Sequence, residues 1–248
     1  MAAFKERIDK LLFDLSLCSS RERARAMIMA GKVLVDDKVV DKAGTKVHID
    51  AQIRLRGEDI PYVSRGGVKL AAALNHFSVS VSGRTAIDVG ASTGGFTDCL
   101  LQYGVAKIYA VDVGYGQLAW SLREDARVIN LERTNIRELA TNDLADSPDL
   151  AVIDASFISL DKVLPATLAL LAQHADIIAL IKPQFEVGKG KVGKGGVVRD
   201  PEHHQQVIEK IKISAMQLGC FVNDVIASPI LGPKGNREFL IHLTRQMG

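Results

Sequence analysis

The stretch TAIDVGASTGGFTDCLLQYG, which begins at Thr85, constrains this chain more than any other part of it. It reads as a buried β-strand, a tight glycine-rich turn and a helix, and KIYAVDVG supplies a second strand about twenty residues after the turn. A unit of that kind belongs to a parallel sheet with helices on its faces and holds a nucleotide-like cofactor at the turn. The dinucleotide version needs glycines spaced GxGxxG. Here Ser92 takes the third position of the turn and the glycines fall at Gly90, Gly94 and Gly95, which weakens a nicotinamide reading. Asp112 ends the second strand, where a carboxylate can accept both hydroxyls of an adenosine ribose. VINLERTN supplies the third strand and its exit beside the adenine, with Leu131, Glu132, Thr134 and Asn135 equally eligible to touch it.

Further strands are expected at DLAVIDASF and DIIALIKPQFE, and a closing pair at CFVNDVIASPI and REFLIHLT. Ligands of an open parallel sheet bind beyond the carboxyl ends of its strands, so Asp154 and Lys182 both fall at the cofactor crevice. If the last strand runs against the others, Glu238 starts it at the same edge. Upstream, a helix from Gly67 to Phe77, with Ser64 as its cap, carries one conspicuous polar side chain, Lys69, among Val, Leu and Ala. Taken singly, each of these four has a plainer explanation as a surface lysine or a strand-end polar group. Their joint placement around one turn is what points to chemistry.

The first 65 residues have a different texture. Phe4, Ile8, Leu11, Leu12 and Leu15 recur at helical spacing, with Arg7 and Lys10 on the charged face. Ser19 and Glu22 form a capping-box pattern for a second helix bearing Arg21, Arg23 and Arg25, which stops at Gly31. Short strands follow on either side of an Asp36-Asp37 turn, and again at Thr45 to Ile49. Thirteen Lys and Arg stand against ten acids up to Arg65, a net of +3 beside +2 for the whole chain. Total charge therefore does not identify a nucleic-acid binder, and any basic surface must be local. The interrupted segment RLRGEDIPYVSRGG divides the chain into residues 1–55, a linker at 56–66 and a large domain at 67–248. Cys18, Cys99 and Cys220 show neither disulfide nor metal spacing, and the expectation is a cytoplasmic protein without a metal. No apolar run reaches membrane-spanning length, and no signal peptide is apparent.

RIDKLL followed by SSRERARAMIMAGKVLVDDKVV resembles the S4 RNA-binding domain over about residues 5 to 55. The resemblance implies that Arg21, Arg25 and Lys32 meet RNA phosphates, with Arg7, Lys10 and Arg65 as further basic candidates. The Asp88-x-Gly90-x-x-x-Gly94-Gly95 turn resembles motif I of class I methyltransferases, in which small residues let the backbone approach S-adenosylmethionine and the helix N-terminus faces its carboxylate. Asp88, Gly90, Ser92, Gly94, Gly95 and Asp112 are then the cofactor-binding candidates. Lys69, Asp154, Lys182 and Glu238, in that order, match the K-D-K-E tetrad of FtsJ-like ribose 2′-O-methyltransferases. SRGGVKL, DVGASTGGFTD, DASFISL, IKPQFE and GNREF carry the match, and with the front domain the chain resembles the hemolysin-A or TlyA-type ribosomal RNA methyltransferase family.

That resemblance implies a Rossmann-like α/β fold, with a seven-stranded, mostly parallel sheet whose last strand is antiparallel, behind a small α+β domain. It also implies a ribosomal RNA or ribosomal-subunit substrate, and leaves the oligomeric state open. A ribose hydroxyl is a weak nucleophile, so its proton must be drawn away in the transition state. Lys182 is the candidate base, with Lys69 as a neighbouring cation and Asp154 and Glu238 orienting the two amines. The acids also favour protonated lysine, so the net effect on basicity has no sign at this level. FEVGKGKVGKGGVVRD, just past Lys182, suits a mobile loop whose Lys189, Lys191 and Lys194 close on substrate phosphate, a flexible linker being the plainer reading. Two other functions compete: a non-catalytic RNA-binding or ribosome-assembly module, and a membrane-active hemolysin suggested by the family name alone.

Overall fold

The computed structural model describes residues 4–246 apart from Ser16, Ser19, residues 57–59, Lys189, Lys191 and Lys194. The chain divides into two compact units, Met1–Ile60 and Pro61–Gly248. In the first, strand β1 (Lys5–Arg7) leads into helix α1 (Ile8–Asp14) and then helix α2 (Arg21–Met29). Strands β2 (Val33–Val35), β3 (Lys38–Val40), β4 (Lys46–His48) and β5 (Ile53–Leu55) follow. β3, β2 and β5 form one antiparallel sheet and β1 pairs with β4. Asp36 and Asp37 both take positive φ, 49° and 63°, as the two-residue hairpin turn between β2 and β3 requires. Ile8, Leu12, Ala24, Ile28 and Val33 are fully buried at the centre of this unit.

The helical periodicity at the start overreaches. Residues 5–7 are a strand, Phe4 is 79% exposed and Leu15 is 50% exposed, because pairing with β4 satisfies the backbone of a segment too short to gain a helical turn. The cap of α2 is Ser20, whose side chain accepts from Arg23 N–H; Ser19, expected in that role, lies outside the described residues.

The second unit holds helix α3 (Gly66–Phe77), strand β6 (Thr85–Val89), helix α4 (Gly95–Gln102), strand β7 (Lys107–Val111), helix α5 (Trp120–Arg123) and strand β8 (Val128–Leu131). Strand β9 (Leu150–Ile153), helix α6 (Leu160–Leu170), strand β10 (His174–Ile181) and helix α7 (Pro183–Glu186) come next. Helix α8 (Pro201–Gln217) and strands β11 (Cys220–Ala227) and β12 (Phe239–Gln246) complete it. The seven strands lie in the order β11-β12-β10-β9-β6-β7-β8. β12 runs antiparallel to both its neighbours and the remaining ladders are parallel. β6, β7, β9 and β10 are apolar and buried along nearly their whole length, the pattern of strands covered by helices on both faces. The chain leaves β6 toward β7 and β8, then returns to the other side of β6 with β9. That reversal opens a crevice beyond the carboxyl ends of β6 and β9.

Residues 61–65, expected in the linker, belong to the second unit. Val63 N–H donates to Asp98 Oδ2 at 2.7 Å, the Tyr62 side chain is 8% exposed, and Gly66 N–H donates to Ser64 Oγ at 3.3 Å ahead of α3. Among the described residues no helix is long and apolar enough to cross a membrane.

The start of α3 is built around a close approach. A Cβ on Gly67 would lie 2.2 Å from Tyr62 Cγ. Gly67→Ala should therefore lower the unfolding free energy of the second unit by about 1–3 kcal/mol; an unchanged denaturation midpoint would show that Tyr62 yields without cost.

Candidate active site

The crevice is a cavity of about 520 Å³ walled by the ends of three strands and the loops that leave them. Val89, Gly90 and Ser92 come from the end of β6, Val111 to Gly114 from β7, and Asp154 to Ile158 from β9; Thr134, Asn135, Ile136 and Arg137 close the far side. Its size falls within the roughly 300–1,000 Å³ of small-molecule sites.

Backbone geometry explains the glycine at its floor. Gly90 has φ 86°, and a Cβ there would sit 2.9 Å from the Asp154 carbonyl oxygen, so both conformation and space exclude a side chain. Ser92 continues the turn at φ 50° and donates its N–H to Asp112 Oδ2 at 2.7 Å, while Gly114 N–H reaches Asp112 Oδ1 at the same distance. Asp112 is thus fixed by two backbone donors, and each oxygen keeps a lone pair for a hydroxyl in the cavity. Thr134 and Asn135 line the cavity and Leu131 and Glu132 do not. Glu132 braces residues 116–118: burial alone would raise its pKa, but the Gly116 and Leu118 N–H groups and the Arg123 guanidinium hold it down at about 2.

Three of the sequence candidates shape the turn from behind instead of lining it. Gly94, at φ 97°, packs where a Cβ would meet Leu122 Cδ1 at 2.2 Å, and a Cβ on Gly95 would meet Ser64 Oγ at 2.1 Å. Asp88 is fully buried; Thr97 Oγ1 donates to its Oδ2 at 2.6 Å, and Oδ1 has no hydrogen-bond partner among the described residues. Burial pushes the Asp88 carboxyl up to about 7 against the Thr97 bond, helped by the charges of Asp154 and Asp112.

Lys69, Asp154, Lys182 and Glu238 form two ion pairs. Lys182 Nζ lies 2.6 Å from Asp154 Oδ1 as a charge contact without hydrogen-bond alignment, and donates to Ser156 Oγ at 2.7 Å and the Asp154 carbonyl at 3.2 Å. Lys69 Nζ donates to Glu238 Oε2 at 2.6 Å. Gln184, two residues past Lys182, donates to Glu238 Oε1 at 3.3 Å, so the turn into α7 touches both pairs. Lys69, Lys182 and Glu238 are each at most 7% exposed, a burial that charged side chains reach only when paired. Ser156 and Gln184 were not singled out from sequence; their positions two residues after Asp154 and Lys182 were the available signal. Phe157 follows Ser156 with φ 64° and its side chain 90% exposed, and its ring centroid is 5.1 Å from that of Phe185.

The basic candidates scatter more widely. In the first unit Arg7, Arg21 and Arg25 all bond the buried carboxylate of Asp9 and are not a free solvated face. Lys10 pairs with Glu6 and Asp14, and Lys32 is half-buried in the turn after α2. Arg65 is exposed ahead of α3 in the second unit. Lys189, Lys191 and Lys194 lie outside the described residues. Among the described residues no three His, Cys, Asp or Glu side chains converge as metal ligands would.

Comparison with known proteins accords with this geometry. The FtsJ-like methyltransferase family matches residues 62–245 and the S4 domain matches residues 6–53. A 16S/23S rRNA (cytidine-2′-O)-methyltransferase, TlyA, of Mycobacterium tuberculosis is 46% identical over 98% of this chain and 91% of its own length. Hemolysin A of Brachyspira hyodysenteriae is 38% identical over 95% of this chain and 98% of its own. Among solved structures, a hemolysin-named protein of Streptococcus thermophilus superposes with TM-score 0.77 at 44% identity, covering 99% of this chain and 90% of that one.

Asp88 makes a pH-dependent prediction. An acid whose folded pKa is raised loses stability as pH climbs from its unfolded value near 3.8 through about 7, because the folded state holds its proton longer. Asp88→Asn should therefore gain stability relative to the parent over that window and level off above it. Parallel denaturation midpoints from pH 4 to 8 would contradict the assignment.

Proposed function

Because the chain belongs to the FtsJ-like methyltransferase family and carries an S4 domain ahead of that fold, we propose that it methylates a ribose 2′-hydroxyl of ribosomal RNA with S-adenosylmethionine as donor. The observation that carries this reading is the contact of buried Lys182 with Asp154 on the wall of a cavity suited to a nucleoside, joined through Gln184 to the buried Lys69–Glu238 pair. The residues present fit the cofactor: Asp112 offers two fixed oxygens to a ribose, and the Gly90–Ser92 turn leaves room for a ligand against its backbone. S-adenosylmethionine supplies an electrophilic methyl group on a sulfonium centre.

The chain's own residues perform the rest. Lys182 acts in its neutral amine form: its lone pair takes the proton of the substrate hydroxyl as the oxygen bonds the methyl carbon and the carbon–sulfur bond breaks. The proton then passes to solvent, and Asp154 and Ser156 hold the amine in place. Lys69, neutralised by Glu238, adds a second fixed amine that keeps the hydroxyl on one line of approach. The exposed Phe157 ring offers a face for a nucleobase beside Asp154, a recognition mode suited to unpaired RNA. Residues 1–55 act as the RNA-binding domain, the second unit from Pro61 as the catalytic one, and Lys189, Lys191 and Lys194 as phosphate contacts. Such a protein works in the cytoplasm, on ribosomal subunits or their precursors. A cytidine is the favoured target, because the Mycobacterium tuberculosis relative is named for that nucleotide.

Two measurements test this. With labelled S-adenosylmethionine and ribosomal subunits, Lys182→Ala and Lys182→Arg should each lower methyl incorporation by roughly 10²-fold or more while leaving cofactor affinity near the parent's, since arginine keeps the charge and cannot serve as the base. Equal incorporation by either would remove Lys182 from proton transfer, and parent protein that binds RNA and methylates no ribosomal substrate would establish the non-catalytic alternative. Asp112→Ala should weaken cofactor binding by about 10- to 100-fold, read by calorimetry, from the loss of charge-assisted hydrogen bonds; unchanged affinity would displace Asp112 from the ribose.

A further inference from the structure

Asp9 accepts hydrogen bonds from three arginines of the first unit. It sits in the first turn of α1, its side chain is fully buried, and its own N–H donates to the Ala43 carbonyl at 3.3 Å. Its Oδ1 accepts from Arg7 Nε at 2.9 Å. Its Oδ2 accepts from Arg7 Nη2 at 3.1 Å, Arg21 Nη2 at 2.9 Å and Arg25 Nε at 3.1 Å. Arg21 and Arg25 share one face of α2 at successive turns, Arg7 comes from the end of β1, and the carboxylate bonds all three. These bonds, the Arg7 fork first, hold the Asp9 carboxyl well below the usual carboxylate range.

The arginines are not consumed by this arrangement. Their side chains remain 44%, 44% and 50% exposed. Four N–H groups go to Asp9, and a guanidinium carries five, so most of the donors are not taken up by Asp9. One carboxylate among three guanidinium groups leaves two net positive charges at a single spot. Left alone, three long side chains would lose rotamer entropy and repel one another on meeting an anion; here both costs are met in folding.

We propose that Asp9 is a positioning residue that gathers Arg7, Arg21 and Arg25 into one preformed site for a phosphodiester of structured RNA. The inference rests on the RNA-binding reading of this unit and adds to it a carboxylate that promotes the binding of an anion. The expectation is contrary to charge counting. Removing an acid makes the surface more positive, which by Coulomb attraction alone should tighten RNA binding.

The test uses the full chain and end-labelled ribosomal RNA as probe, in a binding series over potassium chloride. Asp9→Asn should bind about 3- to 10-fold more weakly than the parent, with a shallower salt slope, as preformed phosphate contacts are lost. Affinity equal to or tighter than the parent's would overturn the proposal. Hydrogen exchange of the α1 and α2 amides reports whether the variant keeps its fold. If it does not, Arg21→Lys with Arg25→Lys decides the matter: total charge is retained while the fork to Asp9 is lost, so weaker binding supports the proposal and unchanged binding defeats it. Arg21→Ala with Arg25→Ala separates the underlying reading. If that variant binds as the parent does, the unit's role in holding RNA falls, and the proposal with it.

Discussion

Two charges 169 positions apart, Lys69 and Glu238, meet out of water at 2.6 Å, and much of the second unit follows from that meeting. Neither group tolerates burial alone, since an unpaired ion in a poorly polarisable interior costs several kcal/mol. The contact therefore ties α3 to the start of β12. It also constrains direction: only a final strand running against its neighbours begins at the edge where the others end, and Glu238 stands immediately ahead of that strand. Gln184 then joins this pair to the turn that carries Lys182.

The cofactor cleft obeys a second constraint, close packing of backbone. Gly90 meets the Asp154 carbonyl so closely that the end of β9 and the turn after β6 can adjoin only without a side chain between them. That approach sets the floor of the cleft and puts Asp154 on its wall. Asp112 is aimed by donors from the same turn and from the loop after β7, so the acid and the glycine turn are placed by one set of bonds.

Much of this was legible in the sequence because its signals are local. Strand, glycine turn, helix and strand come in order, and acids at strand ends fall where open-sheet topology brings them. The β6–β7 ladder, five residues long, lies where the two apolar runs placed it. What escaped was set by tertiary partners. Residues 5–7 continue the apolar spacing of α1 and are drawn into a strand by β4, which no local pattern shows. Gly94, Gly95 and Asp88 read as cofactor-binding because the motif is one contiguous string, and the string does not show their second set of neighbours, Leu118, Leu122, Ser64 and Thr97. That Arg21 and Arg25 of α2 share a carboxylate was not legible, because their partner, Asp9, is one acid among many in a mixed-charge segment.

β12 lies between β10 and β11, and among the described residues β11 has no other strand to pair with. During synthesis the parallel core from β6 to β10 can assemble while both its outer neighbours are still missing, and β11 emerges before the strand that will hold it. The sheet thus keeps an open edge of buried, apolar β10 until the last of its strands is inserted, and Lys69 waits just as long for its counter-ion. A chain that is stalled or clipped before residue 238 is consequently left with an exposed sticky flank and an unmatched ammonium, the profile of a species that chaperones retain and proteases clear.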